Sequence, residues 1–280
     1  MTSEGSLIED FSLEMTGKDL AKLDEARGTI PAGTRINVTF LGNEDLPVRL
    51  QAAGAVRKHG FTPVPHVSAR RIGSERALEE FLAALRAIGA SENLFVIAGD
   101  PPRPHGPYED STAVLRSGKL EAYGARRVSV AGYPEGHPHI PGDVLWTALA
   151  DKAALLQDSG LGDCVITQFG FDAGAALDWV EQVRHKGITL PVRIGVPGPA
   201  GVRRLLAYAS RFGVSTSTGI ARKYGLSLAN LMGTAGPDRF LRELAHRHDT
   251  GRHGEIKLHF YTFGGLAATS EWINNFLEGK

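Results

Sequence analysis

Eight apolar, strand-like runs separated by helix-period segments predict an α/β protein folded as a single (β/α)₈ TIM barrel over residues 1–280. Two further observations carry that expectation. Several of the runs end in a polar residue capable of chemistry, which is how parallel barrels build sites at the carboxyl ends of their strands. The length of 280 residues also suits one barrel with few insertions, which needs roughly 250. No low-complexity linker, internal repeat or break in composition divides the chain.

The strand candidates are residues 11–16, 35–41, 62–69, 94–100, 127–133, 163–171, 191–197 and 255–263. Several are nearly continuous apolar runs, as strands covered on both faces should be. Between them, Ala77, Leu78, Phe81, Leu82, Leu85 and Ile88 form one helical stripe, with Ser74 as N-cap and Gly89 as the stop. Ala176, Leu177, Val180 and Val183 repeat the pattern before Gly187. Val202, Leu205, Leu206, Ala209 and Phe212 do so before Gly213. The stretch 214–250 reads as extra helical material over the mouth before the last strand.

Equal numbers of basic and acidic residues, 31 each, argue against broad electrostatic attraction to nucleic acid or an anionic membrane. The single cysteine, Cys164, cannot form an internal disulfide and sits in an apolar run that suits a buried structural thiol. No apolar stretch reaches transmembrane length and no signal-peptide layout opens the chain, so a cytoplasmic protein is expected.

The strand ends supply the candidate chemistry. Glu14 lies in an otherwise apolar first strand, facing lumen or mouth, where lost hydration favours the protonated acid; it is either a general acid or half of a structural ion pair. Asp100 closes the fourth strand between Gly99, which lets a ligand approach the backbone, and Pro101-Pro102, which stiffens the loop. A carboxylate so held suits the N–H groups of a heterocycle. Tyr133-Pro134-Glu135-Gly136-His137 places an aromatic, a carboxylate and an imidazole in one shaped loop. His137 and His139 form a His-x-His pair, but no further ligand stands at a metal-site spacing, and no metal is expected. His246, His248 and His253 read as solvated surface. Gln168 offers a neutral amide to the edge of a pterin or flavin. The glycines 195, 198 and 201, and Gly264-Gly265, mark either phosphate-binding helix starts or simple turns.

Together these residues resemble the methylenetetrahydrofolate reductase family. The resemblance rests on Phe11-Ser12-Leu13-Glu14, Asn37-Val38-Thr39-Phe40, Pro65-His66-Val67-Ser68, Ala98-Gly99-Asp100-Pro101-Pro102, Ala131-Gly132-Tyr133-Pro134-Glu135-Gly136-His137-Pro138, Ile166-Thr167-Gln168-Phe169-Gly170-Phe171-Asp172 and Leu258-His259-Phe260-Tyr261-Thr262. These stretches run in family order over nearly the whole chain. The resemblance implies a barrel oxidoreductase of one-carbon metabolism that interconverts 5,10-methylenetetrahydrofolate and 5-methyltetrahydrofolate with NAD(P)H, usually through FAD, and a homo-oligomer. By motif, Glu14 resembles the general acid that opens the folate ring and Asp100 the carboxylate between pterin and flavin. Gln168, Phe171 and Tyr261 resemble folate contacts. Thr39, His66, Gly99, Tyr133, Glu135 and His137 match positions that touch the flavin.

Two departures qualify the cofactor. Ala98 stands where the family commonly has Arg before Gly-Asp, and Leu155-Leu156 stand where the helix before strand six usually carries cations. Losing two or three charge-assisted bonds, at about 1.5–3 kcal/mol each, would weaken FAD by orders of magnitude. The expectation is therefore weak or no flavin, with hydride passing directly between nicotinamide and folate. A folate-dependent one-carbon transferase or demethylase, and a non-catalytic folate-binding accessory subunit, are the competing readings.

Overall fold

The computed structural model describes residues 3–214 and 234–279. Its centre is a closed barrel of eight strands: β1 Ser12–Met15, β2 Arg35–Val38, β3 Thr62–Ser68, β4 Asn93–Ile97, β5 Arg127–Gly132, β6 Gly162–Phe169, β7 Val192–Pro197 and β8 Ile256–Tyr261. Every pairing is parallel, and β8 returns to β1 with Ser12 opposite His259 and Leu13 opposite Phe260. All eight expected strands are present, and the fold is the (β/α)₈ barrel that the sequence predicts.

The pleat sorts each strand's residues between two cores. Leu13, Ile36, Val67, Val96, Val130 and Val165 are buried in the layer shared with the helices. The alternate residues fill the lumen in tiers. At the amino ends, Arg35 of β2 crosses to Asp163 of β6 at 2.5 Å, and Ser129 donates to the same carboxylate at 2.9 Å. Burial opposes ionisation of Asp163, but Arg35 and Ser129 hold its carboxyl below the usual range. Above them Val64, Phe95, Cys164 and Ile166 make a dry plug. Burial pushes the Cys164 thiol up to about 12, so it is an inert structural thiol, as its apolar run suggests. The top tier is polar.

The helices follow their sequence signals. Ser74 Oγ accepts from the Ala77 amide and starts the helix Glu75–Ala87, whose Leu78, Phe81, Leu82 and Leu85 are buried; Gly89 follows at φ +69°. Asp172 caps Ala173–His185, and Gly213 ends Val202–Phe212. Of the extra material expected at 214–250, residues 215–233 lie outside the described residues; the helix Asp238–Arg247 precedes β8 and buries Phe240, Leu241 and Leu244. His253 corrects an expectation: it is buried, its Nδ1 accepts the Asp249 amide, and its ring packs against His248. Two of the glycines in these runs answer to packing. A Cβ at Gly195 would overlap Thr167 O, and one at Gly264 would overlap Pro199 O. Among the described residues, no helix is long and apolar enough to cross a membrane.

Candidate active site at the carboxyl ends of the strands

Glu14 is the third residue of β1, and its side chain points into the upper lumen, 19% exposed. Its Oε2 lies 3.6 Å from His66 Nε2 of β3 and 3.5 Å from His259 Nε2 of β8. Burial, only partly offset by Glu14, pushes the His66 imidazole down to about 4, so His66 is neutral near pH 7. Asn37 of β2 approaches the same His66 nitrogen at 3.4 Å. On the other flank, Ser12 Oγ lies 2.9 Å from His259 Nδ1. Ser12 Oγ also lies 3.5 Å from Leu258 O, and His259 Nε2, which faces Glu14, has no hydrogen-bond partner among the described residues. Tyr261 completes the ring: its hydroxyl donates to Thr167 O at 3.1 Å, and burial together with Glu14 and Tyr133 holds it well above its usual pKa, hence protonated.

Asp100 stands three residues beyond β4, at the same end of the barrel as Glu14. Its side chain is 75% exposed and paired with Arg71 Nη2, from the turn after β3. The cation that faces Asp100 thus comes from a neighbouring loop, while Ala98 O accepts from the Arg70 amide. Arg71 also lies flat on Gly42, where any Cβ would overlap the guanidinium. Gly99 is required twice: its φ is +91°, and a Cβ would collide with Ser68 Oγ.

The other expected residues divide into three groups. Gln168, half-buried at the end of β6, accepts the Phe169 amide through Oε1 and lines a pocket with Glu135, Asp172, Ile194 and Phe240. Glu135 reaches over the Gly170 backbone. Tyr133 and His137 meet edge to face at 5.4 Å, and Thr39 is buried one residue beyond β2 with its hydroxyl unpaired. Phe171 does not fit the contact role that its motif suggests: it is 2% exposed and packs edge-on against Phe169 as a structural residue.

The leucine pair also needs correcting. Leu156 is buried against Gly162, the first residue of β6 and so the end of the barrel opposite the mouth. Its identity therefore says nothing about a phosphate at the mouth. The helix's informative cation is Lys152, buried with Nζ donating to Ala131 O at 3.0 Å.

These contacts test the fit of FAD. The unpaired Asn37 Oδ1, Thr39 Oγ1 and Ser68 Oγ suit the polar edge of a planar ring. The phosphates fare worse: Lys152 is committed to a backbone carbonyl, and position 98 has no cation. Among the described residues, neither of these two positions offers a free cation to a phosphate. Sequence reasoning missed Ser12 and His259 as partners of Glu14, although both lie inside the quoted motifs. It also missed Arg71, for which no local signal existed.

A closed parallel barrel with a carboxylate and two imidazoles gathered in its upper lumen defines the class: a TIM-barrel protein. The chain belongs to the methylenetetrahydrofolate reductase family, whose model, "Methylenetetrahydrofolate reductase", matches residues 29–220. Methylenetetrahydrofolate reductase 2 of Saccharomyces cerevisiae is 30% identical over 129 residues, which cover 43% of this chain and 20% of the yeast protein. The match thus spans about a fifth of that relative's length. Glu14 and Tyr261 fall outside the span of the family model. Among solved structures, dihydropteroate synthase (FolP) of Thermus thermophilus is 15% identical with a TM-score of 0.47, covering 96% of this chain and 93% of that one. Dihydropteroate synthase of Burkholderia cenocepacia is 16% identical, also at 0.47, covering 96% and 90%.

Proposed function

We propose that this protein interconverts 5,10-methylenetetrahydrofolate and 5-methyltetrahydrofolate, with NAD(P)H giving its hydride directly to the folate. Family membership supports a folate-related oxidoreductase. The observation that carries the finer reading is the setting of Glu14, whose Oε2 is flanked by His66 and His259. Glu14 protonates N10 of the bound folate, the C–N10 bond breaks, and a 5-iminium ion forms. Hydride from the nicotinamide C4 adds to the exocyclic carbon to give the methyl group. This requires the two carbons to be held about 3–3.5 Å apart. Asp100 and Gln168 orient the pterin edge, and Tyr261 keeps its proton and closes the lumen beneath the ligand.

The poor match to flavin phosphates supports direct transfer. The test is NADH oxidation at 340 nm with methylenetetrahydrofolate, using protein whose visible spectrum has been recorded. Colourless, active protein supports the reading. A stoichiometric flavin band, or wild-type rates in Glu14→Gln, contradicts it.

A further inference from the structure

A second cavity, of about 140 Å³, opens between the loop after β5 and the helices Gly142–Ser159 and Ala173–His185. Its walls include Tyr133, Leu145, Trp146, Leu149, Trp179 and Gln182. Trp146 and Trp179 stack at 5.7 Å with 23° between their planes. The position of Trp179 depends on Gly132, where a Cβ would stand 2.5 Å from the indole. Barrel proteins pack their helix layer tightly, so an open space of this size beside two indoles is a feature that needs an occupant.

We propose that this cavity holds the adenine ring of the nicotinamide dinucleotide, an inference that rests on the reductase reading above. Three observations select that occupant. Among the described residues, no charged side chain lines the cavity, which suits a neutral heterocycle and not a phosphate or a folate glutamate. Indole and tyrosine walls with one amide, Gln182, match a flat ring carrying an exocyclic amine and ring-nitrogen acceptors. Pro134 and Gly136, from the loop after β5, line both this cavity and the small pocket beside Gln168, so the cavity lies next to the carboxyl end of the barrel. The pterin edge, rich in N–H donors, is served instead by Asp100 and Gln168. Outside the cavity, Lys186 Nζ lies 5.0 Å from the Trp146 ring, a cation near the path that a diphosphate would take.

The test compares NADH with reduced nicotinamide mononucleotide, which lacks the adenosine half. Leu145→Trp, which fills the cavity, should raise KM for NADH at least tenfold relative to KM for the mononucleotide. ADP-ribose should quench wild-type tryptophan emission saturably, and Trp146→Phe should weaken that quenching. An unchanged KM ratio in folded Leu145→Trp, or no saturable quenching by ADP-ribose in wild-type protein, overturns the proposal. The quenching needs no turnover, so it stands even if Leu145→Trp does not fold. Saturable ADP-ribose binding without any folate-dependent NADH oxidation would sink the reductase reading and leave the nucleotide pocket intact.

Discussion

Glu14 of the first strand and His259 of the last lie side by side in the upper lumen, Oε2 to Nε2, at 3.5 Å. Barrel closure creates this contact, since β8 pairs with β1 and sets Ser12 beside His259. In the reaction proposed above, Glu14 is the acid that this neighbour flanks. Glu14→Gln keeps the shape and removes the transferable proton, and should lower folate turnover by about 10²–10⁴-fold. Nicotinamide binding, followed by fluorescence titration, should be largely retained. Comparable losses in both would mean that Glu14 is structural.

His66 predicts a pH dependence of stability. Its imidazole titrates near 4 in the fold against 6.5 when free. Between those values the unfolded chain takes up a proton that the folded chain refuses, so stability falls as pH drops through the window and is full above it. The loss by pH 4 is on the order of 3 kcal/mol from this group. Urea midpoints between pH 4 and 7 should show the slope, and His66→Gln should flatten it.

Lys152 behaves in the same sense at higher pH. Burial pushes its ammonium down to about 8, with Asp110 offsetting only part of that. At pH 7 it is still mostly charged inside the helix layer, so Lys152→Met should stabilise the fold by about 1–3 kcal/mol, less the lost bond to Ala131 O. A higher Tm is expected. A lower one would show that the ammonium is needed where it sits.

Gly99 offers a backbone test. Gly99→Ala meets both a φ of +91° and the Ser68 hydroxyl, so it should cost about 1–3 kcal/mol and displace Asp100, lowering turnover. Gly28→Ala is the control, because a Cβ there meets nothing within 4 Å. Equal stability of the two variants by thermal melt would refute the argument.

The strands were legible because the lumen and the helix layer both demand apolar residues, leaving runs such as 94–97 with little alternative. Glu14 and Asp100 stood out in the sequence because each is a carboxylate within or just beyond an apolar run, and the structure sets both towards the same end of the barrel. Contacts made by closure were not. Ser12, His259 and Arg71 gain their meaning from strands and loops adjacent in space only. Phe171 misled because its motif neighbour Phe169 shields it. Leu156 misled because a helix carries residues from one end of the barrel to the other, so similar positions along it face different tiers.

The central claim is direct hydride transfer to a folate activated by Glu14. Its sharpest test follows deuterium from C4 of labelled NADH into the methyl group of the product, in protein without added flavin. One deuterium should be retained, irrespective of the water used. A reduced flavin would exchange its N5 hydrogen with solvent, so a product methyl group that carries solvent hydrogen, or a reaction that stalls until FAD is added, would contradict it.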